Sequence, residues 1–484
     1  MIVINDNRMI FPFLTRQHDI NFLSTISRTN KKGNNVNTWI RYRITPQEIR
    51  KELREMNNIK SNNCIFSSYR LDKNYYSLYG IDYTKLELLP HNQLDPIEFE
   101  IDDICIHMFE TGISFLELRY SIKNDKESSL LNLNYYLLEL KADIELNFIR
   151  FVWNEELKKK EKTCSVMKVV DYIKAILCDF EHAYDLDLNL EIKSYSTKPT
   201  LFSYIFLDNP EEKMKQNLGM NMKASYKINN DSILKTMCFD NSTWYYSLNS
   251  AVNISTLVND EITTNFFKTT FVDKISNLYF FLFLQSIHQR CFLQLCHYKT
   301  RSYNFDLKTF DENKKLTDQL AGYSASFNKC WLKYFFDRPA SIDHVNLFFV
   351  TLQNAFDITK QLAIVSADLE ILTDYANKSY KLYSEYSLLA SDKKKYRFDL
   401  ITFLVASIIS FVSVYDTFIK MIKNFGIELT ITWHIILAVS FMIVCFIVPT
   451  VINFRFHIKK IKKTSKEMKY LEQQICNSRK MDLF

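Results

Sequence analysis

Two long apolar runs near the end of the chain constrain its fold more than any other feature. The first, between Leu400 and Ile419, carries one charged residue, Asp416, and the second, Leu429–Phe454, carries none. About twenty helical residues at 1.5 Å each cover the roughly 30 Å of bilayer hydrocarbon. The runs therefore predict a transmembrane hairpin over 398–454. The alternative is a buried helical hairpin in a water-soluble fold.

The charges beside the two runs predict an orientation. Lysines and arginines precede the first run and follow the second, whereas the loop between them is balanced. Because basic flanks stay on the cytoplasmic side, we expect a multi-pass protein of the cell membrane with both termini in the cytoplasm. Residues 455–484 hold nine Lys or Arg and three Asp or Glu, so their 9 − 3 = +6 equals the net charge of the chain. The body is therefore neutral, and direct binding of nucleic acid is not expected.

The first run has a stripe of small or hydroxyl-bearing side chains at helical spacing. The stripe and the carboxylate beside its end consist of Thr402, Ala406, Ser410, Ser413, Asp416 and Thr417. Such a stripe either packs against a neighbouring helix or lines a water-filled pore. Since one hairpin encloses nothing, a pore-lining role for these six residues requires a homo-oligomer.

The rest of the chain divides by pattern. Neither glycine nor proline occurs between Pro339 and Gly426, and apolar residues recur there every three or four positions. This predicts a long helix from about Ser341 into the first run, unless it breaks near "LLASDKKKYR". The predicted organisation is an α+β cytoplasmic ligand-sensing domain (1–260), a helical layer with a long stalk helix (261–397), the transmembrane hairpin (398–454) and a basic cytoplasmic tail (455–484).

Within the first 260 residues the patterns alternate between strand and helix. Ile101–Tyr120 reads as a β-hairpin that turns at Gly112, and 185–196 and 200–208 read as further strands. The segments 131–149 and 165–183 read as helices. Just beyond this half, Ile275–Tyr298 reads as a buried helix, because its uncharged part is too short to span a membrane.

Residue patterns for catalysis and for metal binding are missing. The six glycines do not cluster as phosphate loops require, and GxSxG and HExxH are absent. His288, Cys291, Cys296 and His297 do not share one helical face, so we expect no metal site. We predict no catalytic residue, no metal and no cofactor.

One short segment suits an anionic ligand. In "NTWIRYRIT", Arg41 and Arg43 would share one face of a strand beside Trp39 and Tyr42. Charge and aromatic stacking of this kind can hold a nucleotide. The alternative is a plain exposed strand.

A long helix entering the first of two C-terminal spans, with a short loop and a basic tail, resembles the CorA family of funnel-shaped pentamers. In that family the first span lines the pore, and a Gly-Met-Asn after it filters hydrated magnesium. Here that place reads "YDTFIKMIKNFG", and a Gly-Met-Asn occurs far upstream at Gly219–Asn221. The chain is more similar to the divergent CorA-like proteins associated with type III CRISPR systems.

That resemblance implies a function. It implies a pentameric membrane effector or channel that opens when a nucleotide second messenger of the S-adenosylmethionine–AMP type binds. It would act in antiviral defence by ion flux or membrane disruption, with the lipid bilayer as a partner, and not as an enzyme. The alternatives are a divergent magnesium transporter and a non-conducting membrane-anchored scaffold.

Overall fold

The structure is a computed structural model. It describes residues 1–14, 28–29, 35–36, 39–42, 44, 49–51, 53, 66–74, 85–90, 96–122, 126–138, 147–152, 166–168, 173, 176, 199–221, 234–303, 310–336, 338–424 and 430–443, and short stretches between 451 and 469. The chain forms two compact units that differ in their secondary structure.

The described strands are β1 Ile2–Leu14, β2 Arg28–Thr29, β3 Asn35–Val36, β4 Trp39–Tyr42, β5 Phe66–Leu71, β6 Lys85–Pro90, β7 Ile97–Phe109, β8 Ile113–Ser121, β9 Asn147–Val152, β10 Val166–Lys168, β11 Thr200–Leu207, β12 Leu234–Phe239, β13 Ser242–Ser247 and β14 Ser250–Thr256. The α-helices are α1 Glu127–Leu138, α2 Glu212–Met220, α3 Glu261–Lys268, α4 Thr270–Lys274, α5 Phe280–Arg301, α6 Phe310–Tyr334, α7 Asp343–Ala355, α8 Ile358–Asn424 and α9 Ile431–Met442. A π-helical turn, Ile275–Tyr279, joins α4 to α5.

Twelve of these strands form one mixed sheet. Its order is β10-β9-β6-β7-β8-β1-β11-β14-β13-β12, with β5 paired to β7 and β4 paired to β5. The 13-residue strand β7 holds both β6, along its first half, and β5, along its second half. β11 and β14 run parallel, whereas the other ladders of the described strands are antiparallel. Strands β2 and β3 form a separate two-stranded sheet.

The hairpin β7–β8 has the predicted turn. Gly112 has φ 82°, a conformation that glycine adopts without steric cost, and its N–H donates to the Phe109 carbonyl at 3.0 Å. Period-2 alternation then separates the faces of β7. Ile104 and Ile106 enter an apolar core on one face, whereas Cys105 and His107 lie on the other.

Helices cover both faces of the sheet. On one face, Leu130 and Leu133 of α1 and Leu218 of α2 join the sheet residues in a single apolar cluster. On the other face, the ring of Phe280 in α5 lies 5.3 Å from Phe202 of β11. Because both faces are covered, all eight residues of β11 are buried. Such strands read as continuous apolar runs.

The expected long helix begins later than the sequence indicates. A break at Asp357 separates α7 from α8, since Asp357 takes a left-handed conformation with φ 54°. Aspartate tolerates this conformation better than most residues, and helices commonly end on it. From Ile358 the helix continues for 67 residues without a break near "LLASDKKKYR".

The predicted CorA-like two-span fold and the multi-pass membrane localisation are wrong. Among the described residues, no helix combines the length and the apolar character needed to cross a membrane. The stretch of α8 without charge, Leu400–Tyr415, holds about 16 residues and covers only about 24 Å. The architecture is instead a large mixed sheet with helices.

The chain divides into two compact units. Unit 1 comprises Met1–Tyr303 and Ser326–Asp368, and unit 2 comprises Asn304–Ala325 and Leu369–Phe484. Unit 1 contains the whole sheet, and the described part of unit 2 is helical. The predicted domain boundaries, which follow residues 260, 397 and 454, stay predictions.

Candidate functional site

The predicted pore-lining residues all belong to α8, whose described side chains there are exposed. The exposed members are Thr402, Ala406, Ser413, Asp416 and Thr417, and the Ser410 side chain lies outside the described residues. The Thr402 hydroxyl donates to the Phe398 carbonyl at 2.9 Å, and Asp416 pairs with Lys420 at 2.6 Å. These polar groups have partners within their own helix. Their pore-lining role stays a prediction.

The predicted anion-binding pair is only partly described. Arg41 lies in β4, with its guanidinium carbon 5.8 Å from the centre of the Tyr69 ring. Tyr42, the next residue, directs its hydroxyl to the opposite face of the sheet, where it meets Glu117. Arg43 lies outside the described residues. Arg41 is therefore not part of the charged cluster described below.

The upstream Gly-Met-Asn has a structural explanation. Gly219 lies in the last turn of α2, and a Cβ there would fall 2.3 Å from Cγ of Tyr245. Asn221 ends the helix with φ 51°, and its N–H donates to the Leu218 carbonyl at 3.2 Å. Close packing and a left-handed helix end account for the glycine and the asparagine.

The histidines and cysteines of α5 belong to the core of unit 1 or to its margin. His288 bonds to Thr111 at 2.8 Å, and burial lowers its pKa to about 3, so its ring is neutral. Cys291 and Cys296 are buried, and His297 lies 3.1 Å from Asp368. Within the described residues, no group of three or more His, Cys, Asp or Glu is arranged to hold a metal.

A buried cluster of charged side chains is the most unusual chemical feature of unit 1. It lies where β7, β8 and β1 are neighbours in the sheet. Its members share one face of the sheet, because every second side chain of a strand points to the same face. Arg8 donates to Asp6 at 3.0 Å and lies 3.4 Å from Glu117. Arg119 donates two hydrogen bonds to the Asp6 carboxylate, of 2.7 and 3.1 Å. We call Asp6, Arg8, Glu117 and Arg119 the charge network.

The charges in the network balance one another. Burial alone would raise the pKa of Asp6, but the neighbouring charges of Arg8 and Arg119 outweigh it and hold that pKa below its ordinary value. Burial likewise opposes ionisation of Glu117, and Arg8 and His107 together hold its pKa low. Two carboxylates thus face two guanidiniums, and the network is neutral.

A hydrogen-bonded relay extends from the network to β5. Nε2 of His107 lies 2.8 Å from Glu117, and Nδ1 of the same ring lies 2.8 Å from the Ser68 hydroxyl. An ionised carboxylate only accepts, so Nε2 carries a proton. With that proton on Nε2, Nδ1 can accept a hydrogen bond from the Ser68 hydroxyl. We call Ser68, His107 and Glu117 the relay.

Aromatic rings surround the relay histidine. Phe66 stacks on His107 with ring centres 6.0 Å apart, and Phe280 and Tyr42 approach it edge-on at 5.7 and 6.2 Å. All three members of the relay are buried, with exposures of 0–2%. The relay therefore has a low-dielectric environment, in which its hydrogen bonds are stronger than in water.

The network also ties the sheet to the helical layer. Arg8 donates to the backbone carbonyl of Ser276 at 3.4 Å, and the Ser276 hydroxyl donates to Asp6 at 3.3 Å. Ser276 belongs to the π-helical turn, a local structure that is frequent at functional sites. The guanidinium carbon of Arg8 also lies 4.3 Å from the Phe280 ring centre.

Sequence reasoning missed both the network and the relay. Their members come from segments that are far apart in sequence and meet only through strand pairing. The available signal is a charged or polar residue at alternate positions of otherwise apolar strands, as in Asp6 and Arg8 or Glu117 and Arg119. Comparison of the chain with family models, with curated proteins and with solved structures finds no match.

Proposed function

We propose that the protein is a signal-binding protein whose unit 1 binds a nucleotide second messenger, of the S-adenosylmethionine–AMP type, in CRISPR antiviral defence. The observation that carries the proposal is the buried charge network, which connects the sheet to the π-helical turn. Ion flux, membrane disruption and cation transport are not part of it, because they depend on the two-span fold that the structure corrects.

The energetics of the network favour a role beyond stability. A buried ion pair gains little over well-packed apolar residues of the same size, because each charge loses its hydration. Removing one partner is nevertheless costly. Such a network therefore has few alternative arrangements, and a charged ligand that changes its pairing changes the contacts of Ser276 as well.

The margin of the network offers guanidinium groups to such a ligand. The Arg119 side chain is 36% exposed and that of Arg70, on the same face, is 47% exposed. Asp103 lies opposite Arg119 in the β7–β8 ladder and 3.6 Å from Arg70. Phosphate oxygens match the guanidinium fork and compete with carboxylates for it. Binding shifts the helical layer only if the ligand binds one pairing arrangement of the charge network more tightly than another.

A homo-oligomer, for which the resemblance to CorA-like proteins implies five copies, stays part of the proposal. Along α8, exposed large apolar side chains repeat at alternating steps of three and four: Phe398, Ile401, Val405, Ile408 and Val412. This spacing is typical of the seam between helices that pack side by side. The small or hydroxylated residues Ala406, Ser413 and Thr417 fall on a different side of the same helix.

Calorimetric titration of the full chain with a set of adenine-nucleotide messengers tests the proposal. We expect one messenger to bind, and Arg119→Gln to weaken its binding by about tenfold or more through the loss of a charged contact. Arg301→Gln, at an exposed arginine in the last turn of α5, is the matched control and should leave the affinity unchanged. If no nucleotide binds the folded wild-type chain, the proposal is wrong.

A further inference from the structure

We propose that the relay of Ser68, His107 and Glu117 is a nucleophilic site that cleaves small carboxylic esters with apolar groups. This goes beyond nucleotide binding and departs from the expectation that the chain has no catalytic residue. It stands on the geometry of the relay, and it needs no nucleotide.

Strand pairing builds the relay. Ser68 lies opposite His107 in the β5–β7 ladder. Glu117 lies opposite Cys105 in the β7–β8 ladder, and Cys105 is two residues from His107 on the same face of β7. The ring of His107 therefore spans from one neighbouring strand to the other, with 2.8 Å to each partner. A nucleophile, a base within hydrogen-bond reach and a third group that orients the base are the elements of nucleophilic catalysis.

The reaction balances with the ester and water alone. Oγ of Ser68 attacks the carbonyl carbon while its proton passes to Nδ1 of His107. The bond between the carbonyl carbon and the alcohol oxygen then breaks, and the alcohol leaves with that proton. Water attacks the acyl group on Ser68, gives one proton to Nδ1, and the acid leaves as Oγ regains it. Glu117 is a positioning residue that holds the ring and stabilises its protonated form.

The charges and the lining of the site select the class of substrate. The guanidinium of the network that lies beside the relay, that of Arg8, is paired with both Asp6 and Glu117. Phe66, Phe280 and Tyr42 instead offer aromatic surface around His107. A neutral ester with a small apolar acyl group fits this environment better than an anion does.

The route to Ser68 passes Tyr42. Ser68 is 2% exposed, and Tyr42 lies opposite it on β4, a strand of four residues that pairs only with β5 among the described strands. The Tyr42 hydroxyl lies 3.4 Å from Glu117 and also bonds to the Cys105 side chain. An ester reaches Ser68 only if the Tyr42 side chain turns aside, a movement that leaves the backbone pairing of β4 with β5 intact.

Labelling with a small fluorophosphonate, followed by peptide mapping of the full chain, tests the site. We expect the probe on Ser68, no labelling in Ser68→Ala, and full labelling in Ser67→Ala, whose serine is the adjacent one in β5. Tyr42→Ala should speed labelling several-fold by opening the route. His107→Ala should slow it at least tenfold, and added imidazole should restore part of the rate, which a merely structural histidine would not allow.

Two outcomes would overturn the site. One is folded wild-type chain, verified by circular dichroism, that leaves Ser68 unmodified even with the Tyr42→Ala substitution. The other is hydrolysis of 4-nitrophenyl acetate at the same rate in wild type and Ser68→Ala. If Ser68→Ala does not fold, Ser68→Cys supplies the comparison, because alkylation of its thiol must depend on His107 in the same way. Nucleotide titration of the same variants separates this result from the proposed signal binding.

Discussion

Replacing Gly219 by alanine is a sharp test of the packing between α2 and the sheet. Alanine ordinarily stabilises a helix by about 1 kcal/mol relative to glycine. Here its Cβ would lie 2.3 Å from Cγ, 2.5 Å from Cδ2 and 2.8 Å from Cβ of Tyr245. These atoms form the root of the side chain and not its flexible end, so the ring and the helix must move apart.

The destabilisation expected for Gly219→Ala depends on how far Tyr245 and its strand can move. Tyr245 is 2% exposed and sits in β13, which is paired on both sides, to β12 and β14. Overpacking at such a site costs about 1–3 kcal/mol, and the upper end applies because the strand is fixed. After the gain in helix propensity, we expect Gly219→Ala to lower the free energy of unfolding by about 2 kcal/mol.

Urea denaturation of the full chain, followed by far-UV circular dichroism, measures the effect. Gly322→Ala is the matched control, because its new Cβ in α6 meets nothing within 4 Å. We expect that substitution to stabilise by about 0.5–1 kcal/mol. In a Tyr245→Ala background the cost of Gly219→Ala should shrink, since Cγ and Cδ2 are gone. An unchanged or raised urea midpoint for Gly219→Ala would refute the reasoning.

Three further outcomes follow from the structure. The pKa values of Asp6 and Glu117 are lower in the folded chain than in the unfolded chain. The stability that this difference contributes is present above their unfolded pKa, near 4, and is lost as the pH falls through the folded values. The urea midpoint should therefore decrease when the pH is lowered below about 4. Arg8→Met, which leaves both buried carboxylates without that partner, should cost about 3–5 kcal/mol at pH 7. Ile408→Lys, in the apolar seam of α8, should dissociate the oligomer in sedimentation velocity, whereas Val414→Lys, outside the seam, should not; equal behaviour of the two would contradict the seam.

Local patterns predicted the elements whose structure depends on neighbouring residues. Alternation identified the β7–β8 hairpin, and Gly112 identified its turn, because only a residue at ease with positive φ fits there. The buried helix over Ile275–Tyr298 also followed from its pattern, although the π-helical turn at its start did not. The break at Asp357 was missed, since aspartate is compatible with both a helix and a left-handed end.

Two predicted helices were partly wrong because strand partners lie far away in sequence. Over 131–149, α1 is described as far as Leu138, and Asn147–Val152 forms β9, which pairs with β6. Within 165–183, Val166–Lys168 extends the sheet beside β9. Strand formation depends on such neighbours more than on intrinsic preference, so the single sequence could not reveal it. The predicted strand over 185–196 lies outside the described residues.

The apolar runs between residues 398 and 454 also show what a single sequence does not reveal. Hydropathy identifies a segment that avoids water, but it does not identify what covers that segment. The seam on α8 and its small-residue face are equally visible in a helix that packs on copies of itself. Among the residues that the structure describes, no helix has both the length and the apolar character to cross a membrane.

The charge network connects the specification of the fold to the candidate site. In the β1–β8 ladder Arg8 lies directly opposite Arg119, an arrangement that repels unless a carboxylate bridges the pair. Asp6 supplies that bridge, with 3.0 Å to one guanidinium and 2.7 Å to the other. A slip of one residue in this ladder would carry the charges of β1 into the apolar cluster on the other face. The network therefore fixes the register that brings Glu117 to His107, and any ligand or proton that alters its pairing acts on the sheet and the relay together.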